Sequence, residues 1–487
     1  MTRANRILPT VIIIASTTLA FAQSNDRVMQ EALKPSTPLQ ENLRVLADEI
    51  GGRLPGTPAM QKAIQWGVDA FKAAGADSVH TEEFTIPQSW AEGNTEINVV
   101  APVNFHVRAQ SIAWSPPLKT TARVVDVGMG TVVDFARAGD IADAIVLAHS
   151  DVLKTWEDLF NEYYRAPGII DRAVKGKALA IAFTSSREHD VLYRHINTST
   201  GKIDVIPQVL LAREDAERVA RLLAHGDKVQ MSISMPNKIG PPITTANVVA
   251  ELKGSELPNE IVILGAHLDS WELGTGALDN GCNAALVIDS LRAIKASGVR
   301  PRRTIRFILF SGEEEGLLGS RAYVHAHQNE LDNIVAEVVL DEGIGNITSF
   351  STGGRKDVDA GLVPMLQPFA KWNSSEVTND ATVGTDNFDF MMEGVPTLLP
   401  NQMEANYLVN YHATSDTYDK VDFTQLKKNE AMAAELVFEL ANAPQRIGPR
   451  YTRAQIQATF PETKLDEQMK GFGMWEEWAN GTRGRKQ

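Results

Sequence analysis

Downstream of Pro241-Pro242 the chain alternates short, largely apolar runs with helical stretches, and ionisable residues gather where the runs stop. The runs are residues 261–264, 304–310 and 334–340, and helical patterns occupy 284–296, an amphipathic stretch, and 317–327. A strand that is apolar on both faces has to be covered on both. The alternation therefore predicts an α/β fold, a mostly parallel mixed sheet flanked by helices. Ligands of such sheets gather at the carboxyl ends of the strands. That edge is where His267, Glu313 and Asp341 fall.

At 487 residues the chain exceeds one ordinary hydrophobic core, and two or three domains are expected. Residues 38–75 read as helical with a break at Gly51-Gly52. From about residue 122 the texture changes to short β runs at 123–127, 144–148, 178–182 and 229–235, with one helix at 213–223. This stretch reads as an inserted α+β module, mostly sheet. The expected division is a leader over 1–22, the first part of the main domain over 23–120, the insert over 121–243, the catalytic part over 244–445 and a tail over 446–487. A final helix is predicted over 424–441. The tail holds Trp475 and Trp478 among charges, which suits either packing on the body or an interaction segment.

Residues 1–22 have the form of a secretory signal: Arg3 and Arg6, an apolar stretch over 7–19, and the small-x-small site Ala20-Phe21-Ala22. Pro9 and Ser16-Thr17-Thr18 interrupt a run already shorter than the ~20 apolar residues of a spanning helix. Gln23 follows where a lipoprotein carries cysteine. The expectation is an exported protein, periplasmic or extracellular, with no membrane anchor once the signal is removed. Cleavage removes Arg3 and Arg6 and no acid, so the formal charge moves from −14 to −16. So acidic a chain is a poor partner for nucleic acid or anionic lipid. Cys282 is the only cysteine and cannot pair within the chain.

His267 follows the run 261–264, and Asp269, two residues on, is placed to accept its second ring N–H. Asp279 in Leu278-Asp279-Asn280-Gly281 suits a helix cap, or, twelve residues after His267 across a Gly-rich loop, a bridge between two cations. The two roles need different orientations. Glu313-Glu314-Glu315 follows the run 304–310, and three adjacent acids exceed what a helix dipole asks for. One can bind metal while its neighbour carries protons. Asp341 ends the run 334–340, and His412 lies in the polar loop Tyr411-His412-Ala413-Thr414-Ser415-Asp416-Thr417. Imidazoles with carboxylates form an N/O ligand set suited to zinc and its neighbours.

In that order, His-x-Asp, Leu-Asp-Asn-Gly, Gly-Glu-Glu-Glu-Gly, Leu-Asp-Glu-Gly and Tyr-His-x-x-x-Asp-Thr, the motifs resemble the M28 zinc peptidases, and most nearly the plasma glutamate carboxypeptidase-like (carboxypeptidase Q) branch. Asp48-Glu49-Ile50-Gly51-Gly52-Arg53, Lys175-Gly176-Lys177 and Ile206-Pro207 extend the similarity over nearly the whole mature chain. The resemblance implies a protease-associated domain for the insert and two zinc ions per chain. It implies His267, Asp279 and Asp341 on one ion and Asp279, Glu314 and His412 on the other, with Asp279 bridging. It further implies Glu313 as general base, Tyr411 as oxyanion donor, Asp269 as the group orienting His267, and a possible homodimer. Cys282 departs from the glycine-rich pattern expected after the bridging aspartate and reads as a packing residue.

The implied activity is exopeptidase cleavage of dipeptides or short peptides, as an aminopeptidase or dipeptidase. A carboxypeptidase acting on acidic C-terminal residues is the alternative, and it needs a basic cluster to which Arg355 alone is a candidate contributor. A metal-free binding relative conflicts with the intact ligand set. A single-metal acyltransferase of the glutaminyl cyclase type does not require the His267 and Asp279 partnership as a bridged pair. Phe388, Phe390 and Tyr407 are expected walls of the specificity pocket.

Overall fold

A computed structural model describes residues 27–197 and 201–486, so the leader expected over 1–22 lies outside the described residues. The catalytic part is built on an eight-stranded mixed sheet: β1 (Ser78–Ile86), β2 (Ile243–Leu252), β3 (Leu257–His267), β4 (Arg303–Phe310), β5 (Ile334–Val339), β6 (Ile347–Ser351), β7 (Glu376–Thr378) and β8 (Thr397–Gln402). Their spatial order is β1-β2-β4-β3-β5-β8-β6-β7. The central four, β4, β3, β5 and β8, run parallel. Alternation along β3 sends Val262 and Leu264 into one apolar core and Ile261 and Ile263 into another.

Helices cover the sheet on both sides: α1 (Pro58–Ala74), α3 (Cys282–Ala296) and α5 (Phe423–Asn442) on one face, α4 (Leu318–Ala326) on the other. The stretch expected as an amphipathic helix over 284–296 is instead buried on nearly every side, with twelve of the fifteen residues of α3 enclosed. The neighbouring helix Leu39–Arg44, together with α1 and α5, packs around it, and only its last turn, at Lys295 and Ala296, is exposed.

A second eight-stranded sheet forms the inserted layer. Its parallel half joins Leu118–Asp126, Ile145–Ala148, Ala180–Thr184 and Gln208–Leu211. Its antiparallel half includes Glu96–Ala101 and Phe105–Val107, which pair outward from Gln230–Met235, while Ala109–Ser111 pairs at the opposite edge. The insert thus begins before residue 121. The strand Glu96–Ala101, within the expected first part of the main domain, finds its partner Gln230–Met235 more than a hundred residues downstream. The chain enters and leaves through one two-stranded ribbon, Ser89–Ala91 against Lys238–Gly240. The expectation of a module that is mostly sheet omitted α2 (Trp156–Lys175), a twenty-residue helix started by a capping box between Thr155 and Asp158.

The tail packs on the body. Ile456, Phe460, Leu465, Met469, Met474 and Trp478 share a core with Phe388 and Met392. Arg483 reaches inward to grip Asp389 with two charge-assisted bonds, Nε to Oδ1 at 2.8 Å and Nη2 to Oδ2 at 2.6 Å, both side chains being 2% exposed. Among the described residues no helix is long and apolar enough to cross a membrane.

Arg483→Met leaves Asp389 as a buried charge without its partner and is expected to cost about 3–5 kcal/mol of stability in urea unfolding. The double variant Arg483→Met/Asp389→Asn should recover much of that loss. Equal losses in the single and double variants would show that the charge pair is not what anchors the tail.

Candidate active site

His267 is the last residue of β3 and stands opposite Phe310, the last of β4. Glu313 follows β4 by three residues, and Asp341 follows β5 by two, with Leu340 N–H bonded to Gly265 O at 3.0 Å. Parallel strands that end in register thus put one imidazole and two carboxylates on a single edge. Asp279 and His412 reach the same point from loops, so residues spread over 146 positions converge.

His267 Nε2 lies 3.1 Å from Asp279 Oδ1 and 2.9 Å from Asp341 Oδ1. His412 Nε2 lies 3.3 Å from Asp279 Oδ2 and 2.9 Å from Glu314 Oε2. Each oxygen of Asp279 therefore faces a different histidine. Helix α3 starts at Cys282 with no side-chain cap, so the capping role for Asp279 is excluded. Ligand atoms of His267, Glu313 and Asp341 also lie within 4.8 Å of one another, as do those of His267, Asp279 and Glu314. Glu315 points away, into a small apolar recess with Leu54, Trp90 and Trp271.

One expected contact differs. The second ring nitrogen of His267 is bonded not to the Asp269 carboxylate, which is 3.8 Å away, but to the Asp269 backbone carbonyl at 3.0 Å. The carboxylate instead accepts the N–H groups of Glu313 at 3.3 Å and Glu314 at 3.2 Å. Asp269 folds over that turn because two backbone donors at the start of a chain reversal outcompete one imidazole. Phe388 and Phe390, expected as pocket walls, are both fully buried in apolar cores, whereas Tyr407 does line the cavity.

Two supports have no role assigned from the sequence. Asp416 Oδ1 accepts the N–H groups of Ala277 at 3.1 Å and Leu278 at 2.7 Å, and its Oδ2 accepts that of Asp279 at 3.1 Å. Fully buried Arg53 donates to the carbonyls of Leu268, Thr275 (3.1 Å) and Gly276 (3.0 Å), holding the loop between His267 and Asp279. Their signal lies in the motifs Gly51-Gly52-Arg53 and Tyr-His-x-x-x-Asp.

The electrostatics are those of a carboxylate cluster short of positive charge. Burial first, then the Asp341 charge, pushes the Glu313 carboxyl well above its usual range. Burial alone would lower the His267 pKa, but Asp341 and Asp279 outweigh it and hold the ring well above an ordinary histidine. His412 is raised to about 9 in the same way, burial being overcome by Glu314 and Asp279. Arg53 is lowered by burial to about 10, so it stays a cation at neutral pH.

Above the cluster lies a cavity of about 770 Å³. Trp156, Phe160 and Tyr163 of α2 form one wall, residues 380–385 another, and Gln468, Phe472 and Met474 of the tail a third. Glu342 and Asp380 add carboxylates to it, and among the described residues no lysine or arginine lines it. Tyr411 stacks on His412, with ring centroids 3.6 Å apart.

Histidines interleaved with carboxylates at the carboxyl edge of a parallel sheet, at the base of a cavity, define a metallohydrolase class of site. The sequence profile of Peptidase family M28 matches residues 247–437, the span that carries β3 to β5 and all five residues His267, Asp279, Glu314, Asp341 and His412. The chain thus carries a match to peptidase family M28 over that span, which marks it as a metallopeptidase hydrolase. It is similar to carboxypeptidase Q of Rattus norvegicus, with 29% identity over 412 residues, 84% of this chain and 86% of that one. Among solved structures it is similar to a peptidase M28 precursor from Shewanella amazonensis, at 26% identity and a TM-score of 0.80, covering 88% of this chain and 98% of that one. A zinc aminopeptidase from Bacillus subtilis shares the fold, with a TM-score of 0.66 at 20% identity over 85% and 97% of the two chains.

Asp416→Asn puts an amide N–H₂ against backbone donors that a carboxylate oxygen now satisfies. The expected result is a loss of about 1–3 kcal/mol in chemical denaturation, together with weaker metal retention on dialysis. Wild-type stability and metal content in this variant would remove Asp416 as the support of the Asp279 loop.

Proposed function

We propose that the chain is an exported zinc exopeptidase that cleaves dipeptides and short peptides from the amino end. The observation that carries this reading is the cavity's charge: it presents carboxylates and no basic side chain among the described residues. A carboxypeptidase has to neutralise its substrate's terminal carboxylate with a guanidinium or ammonium group. Arg355, the one candidate contributor in the sequence, is committed elsewhere, to Asp357, the carbonyls of Gly394 and Pro449, and the ring of Tyr451. An aminopeptidase has to meet an ammonium group. Glu342, tethered by the Gln402 N–H at 2.9 Å, and Asp380 supply the opposite charge.

His267, Asp279 and Asp341 would hold one zinc ion and Asp279, Glu314 and His412 the other, with Asp279 shared. The donor chemistry supports this assignment: imidazole nitrogens and carboxylate oxygens with no thiolate, since the buried Cys282 turns its Sγ to Leu278 O. Glu314 Oε1 is buried without a hydrogen-bond partner, an acceptor that a cation satisfies. Zinc held by these residues would supply a water molecule of lowered pKa and a Lewis acid for the scissile carbonyl. Glu313 takes the proton from that water on its carboxylate and passes it to the leaving amine nitrogen. The Tyr411 hydroxyl donates to the carbonyl oxygen as charge builds on it. Asp269, by binding the N–H groups of Glu313 and Glu314, keeps base and ligand on one rigid turn. In this reading the inserted layer is a protease-associated module, and export rests on residues 1–22.

Glu313→Gln is expected to keep its zinc by elemental analysis and lose roughly 10²- to 10⁴-fold in kcat, while Asp279→Ala loses zinc as well. Full activity in Glu313→Gln would remove the assignment of the base. Free-amino dipeptides should turn over and their N-acetyl forms should not, and Glu342→Gln should raise KM for the free-amino substrates about tenfold, the size of one charge-assisted contact. Equal turnover of acetylated and free dipeptides would instead favour recognition from the carboxyl end.

A further inference from the structure

Helix α2 belongs to the inserted layer, to which Arg165 ties it through the carbonyls of Met129 and His149, and Arg172 through that of Gly130. Yet its Tyr163 faces the peptidase cavity, and the Tyr163 hydroxyl lies 3.0 Å from the hydroxyl of Tyr411. The Tyr163 ring is gripped from two sides, by His195 at 4.2 Å between centroids and by Phe472 of the tail at 5.4 Å. His195 is buried, with no hydrogen-bond partner on either nitrogen, and burial lowers its pKa to about 4, so it packs there as a neutral ring. The phenol is thereby aimed at one point.

We infer that Tyr163 is a positioning residue for Tyr411, so that the inserted layer completes the oxyanion apparatus of the peptidase domain. This rests on the reading of Tyr411 as the oxyanion donor. A phenol hydroxyl has one proton and can both donate and accept. When Tyr163 donates to Tyr411, the Tyr411 proton is left free for the substrate oxygen, and the acceptance of one hydrogen bond strengthens the donation of the next. Without Tyr163, the Tyr411 hydroxyl is free to rotate toward competing acceptors. The stacking of Tyr411 on His412 holds its ring, but a stacked ring does not orient a hydroxyl proton.

The test is a double-mutant cycle on the zinc-loaded full chain with a free-amino dipeptide. Tyr411→Phe should lower kcat about 10²-fold, and Tyr163→Phe roughly 3- to 10-fold, with KM, zinc content and Tm unchanged. In the Tyr411→Phe background, Tyr163→Phe should add less than about twofold, because the group it acts through is gone. Two results overturn the inference: unchanged kcat in Tyr163→Phe while Tyr411→Phe is crippled, or the same loss from Tyr163→Phe in both backgrounds. Wild-type kcat in Tyr411→Phe marks the separate failure of the oxyanion reading, and the inference falls with it.

Discussion

Carboxylates crowd the carboxyl edge of the parallel sheet, and like charges held this close, away from water, repel unless something positive offsets them. The chain meets part of that demand with its backbone. Asp416 takes three N–H groups and Asp269 takes two, so neither needs a cation of its own. Another part comes from Arg53, which spends its hydrogen bonds on carbonyls and leaves its charge to act on Asp416, Asp269, Asp279 and Glu314 together. The remainder falls to His267 and His412, both raised by the acids around them. Burial drives Glu313 well up and Glu314 to about 7. Glu313, which burial and the Asp341 charge both oppose, is held there at a cost in repulsion that a function offsets.

The inserted layer is not an appendage to this arrangement. The loop bearing His412 is paired to the insert by a bridge between Tyr193 and Ala413, by Arg194 N–H to His412 O at 2.9 Å, and by Thr414 N–H to Leu192 O at 3.0 Å. His412 Nδ1 in turn donates to Arg194 O at 3.0 Å, which sets the tautomer that leaves Nε2 facing Asp279 and Glu314. Arg194 itself, fully buried, joins Glu92 of the insert side to Glu272 of the peptidase side. A shift of the insert therefore moves one histidine of the pair and leaves the other, on β3, in place.

The range of the interactions decides how much of this is legible in the sequence. The strands β3, β4 and β5 and the residues at their ends can be read because burial on both faces writes a largely apolar run, interrupted only by single residues such as Arg306 and Glu337, and the residues just past the end of such a run must lie at the sheet edge. The boundary of the insert cannot, because Glu96–Ala101 joins it by pairing with Gln230–Met235, a contact that leaves no local trace. Helix α2 leaves a trace in its Thr155 and Asp158 capping box, but Pro167 within it reads as a helix break. Asp269 stands out in the sequence as important, yet with the wrong partner. Proximity in sequence favours the imidazole, whereas the fold presents it with two backbone donors from a turn 44 residues away.

The same long-range contacts bound what can enter. A cavity of about 770 Å³ has the size of a small-molecule pocket, not of an extended groove that accommodates a protein chain. Helix α2 shuts one side and the tail another, and the tail is held in place by the buried Arg483–Asp389 pair on the far side of the Phe388 core. Phe472 of the tail meets the ring of Tyr163 from α2 at 5.4 Å between centroids, so the two walls are in contact with each other at the cavity. In the proposed reading, substrate length and the aim of the Tyr411 hydroxyl both depend on one set of contacts, made where the insert and the tail meet over the sheet edge.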